Sequence, residues 1–572
     1  MTATRVTRAL AYAWVVLLSA LVLGPALLPG FALSYDLVFT PRQELLPGSI
    51  GVGSGLPRAV PQDAVVALVE TVVPGMILEK AMLLAIPVLA GTGMLRLLRG
   101  TAAGVVGATL AIANPFVAQR LVIGHWGLLL AYALVPWALV VAQRLRAHGD
   151  PWDGLRLVLL VAAGSLTPSG SLLLSLVAVP PALLLRSRYS VRSRLLLAAA
   201  VVATWLPWLL PALLHPGGAE ADPDGTRVFA LRADAPDGAL MSALTGGGIW
   251  NAEVSLPSRD TPFTWVFAAF VLVLAVTGAT SLARLLGRGV AGWWSGVALL
   301  GLLASLASVA IPGAWAALLE AVPGGGLARD AQKLLAPWIL LLAASAGMGA
   351  ARLIGLVRDR TSRMIALAAL AVLPLACQPD LLWGAGGRLA SVDYPSDWAT
   401  ARAIVAENPG PGDVVSFPWT AFRRFDWNAG RTVLDPAPRW LTRTTVVSDD
   451  LVIDTSDGLV TVSGDDPRAQ AIGRALAEGE DVARLLPSLG VGWALVAKGT
   501  PGPVPGLQGW ELAFDGPDLS LYAAPQGSVT EVRSDARLVA AVDLAVGAAL
   551  LAGLGMLLIR RVRARRPKPL VA

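Results

Sequence analysis

Cysteine is all but absent from this 572-residue chain, where Cys377 stands alone. One cysteine excludes an internal disulfide and any cage of thiolate metal ligands. Histidine is nearly as scarce, and His125, His148 and His215 are too far apart for zinc-site spacing. Charged residues make up only 15% of the chain, against 55% hydrophobic. That balance excludes a soluble globule, because there is too little charge to cover so much apolar surface in water. Lysine is also scarce, and the abundance of Ala, Gly, Arg and Val suggests a high-GC bacterial genome. The net charge of +6 does not point to nucleic acid. Its surplus sits in short turns between apolar runs, where it sets membrane orientation. What remains is a polytopic α-helical membrane protein, with the lipid bilayer as its first partner.

Apolar windows of roughly 20 residues predict about twelve spans. They lie near 9–29, 72–95, 102–122, 127–143, 155–168, 170–185, 195–214, 263–283, 290–311, 334–351, 364–382 and 537–559. The run 155–185 reads as two spans because Thr167-Pro168-Ser169-Gly170 breaks it as a tight turn does. The first run follows only Arg5 and Arg8 and reads as a retained anchor rather than a cleaved leader. Charge supports the split. Arg96 and Arg99, Arg144 and Arg146, the group Arg186, Arg188, Arg192 and Arg194, then Arg284 and Arg288 all follow even-numbered spans. So do Arg352, Arg358, Arg360 and Arg363, and finally the cluster from Arg560 to Arg566. With both termini inside, every cluster is cytoplasmic.

This topology makes 1–382 a transmembrane module with outer loops 30–71, 215–262 and 312–333. Residues 383–536 form an extracytoplasmic domain, 537–559 the last span and 560–572 a basic cytoplasmic tail. The outer domain is rich in Asp and Pro, with strand-like runs at 413–417 and 493–497 and helical stretches at 396–407 and 467–484. It reads as α/β or α+β. It contains no Gly-rich phosphate loop, no Gly-x-Ser-x-Gly elbow and no His-Glu-x-x-His. Its aromatic residues, among them Trp398, Trp419 and Trp427, suit either sugar stacking or an ordinary core.

The residues that carry chemistry gather near span ends. Asp36 lies just past the first span, on the outer side, where a carboxylate is either a solvated loop acid or a general base. Glu79 and Lys80 lie inside the second span, where charge needs a partner or a polar cavity. Lys80 therefore faces a ligand, pairs within the bundle or snorkels outward. Asn114-Pro115 interrupts the third span and aims Arg120 and His125 toward the outer leaflet. An arginine fork there suits a lipid phosphate. The segment 312–333 starts as an amphipathic surface helix and ends in Arg329, Asp330 and Lys333. Arg329 and Lys333, four apart, are expected on one helix face, able to grip a phosphate, or else to form an ordinary polar helix start. Asp222, Asp224, Asp234, Asp237, Glu253 and Asp260 supply oxygens in the loop 215–262 at no known metal-loop spacing, and solvated acids are the simpler reading.

Together these pieces resemble the GT-C membrane glycosyltransferases, above all actinobacterial cell-wall arabinofuranosyltransferases and mannosyltransferases. The resembling pieces are Tyr35-Asp36, Pro74-Gly75 through Lys80, and Asn114-Pro115-Phe116 with Arg120 and Gly124-His125-Trp126. Arg329-Asp330-Ala331-Gln332-Lys333 and Asp393-Tyr394-Pro395-Ser396-Asp397-Trp398 complete the set. The resemblance implies transfer from a polyprenyl-phosphate sugar to an envelope glycan or glycolipid, outside the cytoplasmic membrane, with inversion. It implies Asp36 as base, Lys80, Arg120, His125, Arg329 and Lys333 on the donor phosphate, and Trp398, Trp419 and Trp427 on the acceptor. Asp36 stands without the adjacent second acid some members show, which leaves a divalent cation open and admits an inactive scaffold. A lipid-linked sugar flippase is the other alternative, although no repeated halves are visible.

Overall fold

The computed structural model describes residues 2–184, 189–215, 223–408, 411–455, 458–525 and 533–565. Among the described residues nine helices are long and apolar enough to cross a membrane. They are Arg5–Leu27, Gly75–Leu98, Thr101–Val122, Trp126–His148, Phe263–Leu286, Arg288–Ala310, Ala331–Leu356, Arg360–Cys377 and Ala536–Arg563. The expected span at 195–214 is a pair, Val191–Ala203 and Leu206–Leu214, bent by 60°. Pro207 and Pro211 remove backbone donors near that bend.

The region 155–185 is a hairpin of two short helices, Pro151–Gly164 and Pro168–Leu183, of 14 and 16 residues. Thr167 ends the turn as an N-cap, its hydroxyl accepting from the Gly170 N–H at 3.1 Å. At about 1.5 Å per residue each arm is shorter than a usual span. The tip nevertheless reaches the start of helix Trp126–His148, since a Cβ on Gly127 would meet Thr167 Cγ2 at 2.7 Å. The chain therefore returns to the end it left, as the arginine pattern requires.

The third span breaks where the sequence says it should. Asn114 is extended, caps Pro115–Val122 by accepting from Val117 N at 3.0 Å, and donates back to Leu110 O at 2.8 Å. The carbonyl freed by the break is thus satisfied without water. Elsewhere the bundle closes through small residues. A Cβ on Gly278 would meet Ser345 O at 1.9 Å, and one on Gly349 would meet Leu274 O at 2.0 Å. Helices Phe263–Leu286 and Ala336–Leu356 therefore touch backbone to backbone.

The basic turns collect at one end. Arg99 donates to Gln143 at 3.3 Å, and Arg560 sits 4.8 Å from the Trp152 ring beside Asp150. Arg186, Arg188 and the tail beyond 565 lie outside the described residues. The opposite end carries the sheet domain, a five-stranded sheet with helices Ser396–Glu407, Pro467–Glu478 and Val482–Ser488. Its order is Glu511–Asp515, Leu519–Ala523, Val491–Ala497, Asp413–Phe417, Thr445–Val446. The strand Asp413–Phe417 runs parallel to both neighbours, and the C-terminal strands are antiparallel. This strand is buried on both faces, its Val414, Val415 and Phe417 packed in the core while Asp413 and Ser416 are satisfied by Arg468 and Arg423.

The first loop and this domain are sewn together. Phe31–Ala32 pairs antiparallel with Ser391–Val392, and Tyr35 bridges to Val433. Tyr394 Oη donates to Phe39 O at 3.0 Å, and Arg439 Nε pairs with Asp63 at 3.0 Å. Phe31, Leu33 and Phe39 share one hydrophobic core with Trp398, Trp493 and the bundle.

Candidate active site

Asp36 is placed by backbone on two sides. Its N–H donates to Ile123 O at 3.1 Å, while Tyr35 N donates to Thr432 O and Tyr35 O accepts from Leu434 N. Tyr35 takes φ +47°, a left-handed backbone that costs a non-glycine residue on the order of 1 kcal/mol. The sheet strands around Val433 hold it there. On the other side Gly124, at φ +86°, lies so close that a Cβ would meet Leu37 N at 2.0 Å. Gly124→Ala is therefore expected to push the Asp36 loop away from His125. A displacement near 1 Å predicts a loss of about 100-fold in turnover with unchanged helix content by circular dichroism.

From Asp36 a chain of side-chain contacts runs inward. Asp36 Oδ2 lies 3.2 Å from His125 Nε2, and His125 Nδ1 lies 2.8 Å from Arg120 Nη1. Arg120 then forks onto Asp330, at 2.6 Å and 2.7 Å. Lys333 Nζ stands 3.6 Å from the same carboxylate. Residues from three distant parts of the sequence thus converge. Arg120 is fully buried and its fork is filled by Asp330, so it does not face a phosphate as expected. The buried guanidinium is balanced where it stands.

Asp36 keeps 41% of its side-chain exposure, although protein crowds it enough that burial by itself raises its pKa. Both hold for a carboxylate packed by protein on one side and exposed on the other. The hydrogen bond from His125, with the positive charges of Arg439 and Lys333, outweighs burial and holds Asp36 below the usual carboxylate range. It is ionised at neutral pH. Burial, and after it the positive charge of Lys333, push His125 below the ordinary imidazole value, which favours the neutral ring. Asp330 is crowded too, yet Arg120 and Lys333 keep it well below the usual range. Burial and a 2.5 Å bond to Glu253 push the Tyr35 phenol up to about 12, which removes it as a competing base.

The other expected site residues fall out differently. Lys80 is tied to Glu79 at 2.8 Å and to Ser391 at 3.0 Å. Glu79 in turn accepts from Ala32 N at 3.0 Å. Lys80 is therefore a stitch between the second span and the sheet domain, not a phosphate ligand. Arg329 stacks its guanidinium 4.8 Å over Phe229. It does not share an α-helical face with Lys333, because Gly325–Ala328 and Ala331–Leu335 are 3-10 turns, in which a four-residue step rotates away. Trp398 is wholly buried among Tyr394, Phe425 and Trp440, and Trp419 packs in the sheet domain's second core. Neither offers a ring face to a sugar. Trp427 is half-buried against Phe425.

In the loop 215–262, Asp222 and the side chain of Asp224 lie outside the described residues. Asp237 and Asp260 are exposed. Asp234 is buried, paired with Arg259 at 2.9 Å and with Gln119 at 2.7 Å. Thus Gln119 and Arg120, adjacent on one short helix, are each gripped by an aspartate. Among the described residues no three His, Cys, Asp or Glu gather where they would hold a metal ion. The charges facing Asp36, namely Arg439 and Lys333, repel a cation, so these residues do not fit a divalent metal.

With this geometry in hand, comparison with solved structures is decisive for the fold. The chain is similar to the arabinofuranosyltransferase AftD from Mycobacteria, solved by single-particle cryo-EM, with a TM-score of 0.53 and 16% identity. The likeness covers 92% of this chain and 40% of that one. The chain has a GT-C-like fold. No family model and no curated protein sequence matches it. The likeness runs through bundle and sheet domain alike, because 92% of the chain cannot be covered by either part alone.

Proposed function

We propose that this GT-C-like protein is a glycosyltransferase that moves a sugar from a polyprenyl phosphate to a hydroxyl of an envelope glycan or glycolipid. The carrying observation is the partly exposed Asp36 carboxylate, held against His125 where the bundle meets the sheet domain, with Lys333 close enough to act on its charge from the head of a span. Asp36 takes the proton of the acceptor hydroxyl. The hydroxyl oxygen bonds to the anomeric carbon as the bond from that carbon to the phosphate oxygen breaks. The electron pair leaves with the polyprenyl phosphate, and attack from the far side inverts the anomeric carbon. Lys333, with Arg329 near enough for their charges to interact, stabilises the departing phosphate. The arginine turns at the opposite end support an outer-face position for Asp36, with both termini in the cytoplasm.

The test uses the full chain in lipid nanodiscs. Polyprenyl-phosphate arabinofuranose and polyprenyl-phosphate mannose serve as donor probes, and envelope fraction from cells without the gene as acceptor. Sugar incorporation matched by released polyprenyl phosphate is expected. Movement of the donor across vesicles without release would favour a flippase instead. Lys333→Ala should raise the donor KM about 10- to 100-fold, the worth of a charge-assisted contact.

A further inference from the structure

Arginine has five N–H donors and no acceptor, and it stays protonated in proteins. Arg120 Nη1 at 2.8 Å from His125 Nδ1 can therefore only donate, so Nδ1 carries no hydrogen. The neutral ring then has its hydrogen on Nε2, which points at Asp36 Oδ2 at 3.2 Å. Asp330 grips the Arg120 fork with both oxygens, so the guanidinium cannot turn away. Among the described residues the other Asp36 oxygen, Oδ1, has no hydrogen-bond partner, while the side chain keeps 41% of its exposure.

We infer that His125 is a positioning residue for Asp36: Arg120 locks its tautomer, and its Nε2–H holds one carboxylate oxygen so that the other faces the acceptor hydroxyl. The inference rests on the reading of Asp36 as base and goes beyond it. It excludes His125 as a proton relay, because the nitrogen that would accept a second proton already faces a cation. The proton taken by Asp36 leaves to solvent from its exposed side. The charged and titratable groups that set the local balance are His125 and Arg120 from the broken span, Asp330 and Lys333 from the turn before the tenth span, and Arg439 from the sheet domain.

Two measurements test this. The first needs no substrate. With only three histidines in the chain, nitrogen-15 histidine labelling of the full protein in nanodiscs gives signals from three rings, two nitrogens each, and His125→Gln assigns one ring. The expected result is a neutral Nε2–H ring at His125 at pH 7, becoming mixed in tautomer or protonated in Arg120→Gln. A His125 ring that is protonated at pH 7, or carries its hydrogen on Nδ1, overturns the lock. The second is the pH profile of transfer from the same donor probes. His125→Ala should lose about 10- to 100-fold in kcat with donor KM little changed. Its acidic limb should move to higher pH, because Asp36 has lost its donor. His125→Gln, whose amide can accept from Arg120 and donate to Asp36, should restore most of the rate. His125→Ala as active as wild type, in a protein where Asp36→Asn is dead, overturns the positioning role alone. Asp36→Asn at full activity overturns both this role and the proposed base.

Discussion

Asp36→Asn is expected to lower sugar transfer by about 10²–10⁴-fold, the usual worth of a general base, while the protein stays folded. Asparagine keeps an oxygen to accept from His125 Nε2, so the local contact survives. The backbone contacts to Ile123 and the Val433 strand do not involve the side chain at all. What disappears is the basicity. The loss should fall on kcat and leave the donor KM nearly unchanged, because the proposed phosphate contacts, Lys333 and Arg329, are untouched. The stability cost has a definite pH sign. Asp36 has a depressed pKa in the folded protein, so its charge stabilises the fold above the ordinary carboxylate pKa. That contribution is lost as pH falls through the depressed value. The mutant should therefore be slightly less stable than wild type at neutral pH and equal to it in strong acid, measured by thermal unfolding in detergent. Full transfer activity in a folded Asp36→Asn protein would leave an inactive scaffold as the better account of this chain.

Arg120→Met should destabilise the protein by about 3–5 kcal/mol, because it leaves the Asp330 carboxylate buried without its bidentate partner. Lys333, at 3.6 Å, is too distant to replace two hydrogen bonds. The double variant Arg120→Met with Asp330→Leu removes both charges and should recover most of the lost stability. Activity should not recover with it. Without Arg120 the His125 ring is free to carry its hydrogen on either nitrogen, and Asp36 loses its fixed donor. Thermal unfolding of the three proteins, run beside transfer assays, separates the two effects. Recovery of both stability and activity in the double variant would reduce the Arg120–Asp330 pair to a structural contact.

Much of the fold was legible before any contact was known. The spans follow from apolar length. The Thr167 turn and the Asn114-Pro115 break were readable because each depends on a few adjacent residues and on backbone chemistry that proline and a side-chain cap dictate. The strands at 413–417 and 493–497 likewise match Asp413–Phe417 and Val491–Ala497. The site was only partly legible. Asp36, His125, Arg120 and Lys333 do meet, but their roles are rearranged, and Asp330 and Arg439 were missed as members. A signal for Asp330 existed: an arginine inside an apolar segment demands a carboxylate. Nothing local said which of the available acids would answer. Lys80 was misjudged for the same reason, since Glu79 sits next to it and the tie to Ser391 spans 311 positions. Trp398 and Trp419 were misjudged because aromatic residues fill cores and line sugar sites with the same composition.

The order of elements along the chain determined that this protein crosses a membrane many times, where it turns, and which end carries its arginines. Those properties need only neighbouring residues and the thickness of a bilayer. Which carboxylate neutralises Arg120, 210 positions away, and which ring meets Asp36, 89 positions away, was decided only when the helices and outer loops of the bundle packed together. The reason is that buried charges take whichever opposite charge the packing brings within about 3 Å, and packing at that scale belongs to the assembled core rather than to any stretch of sequence.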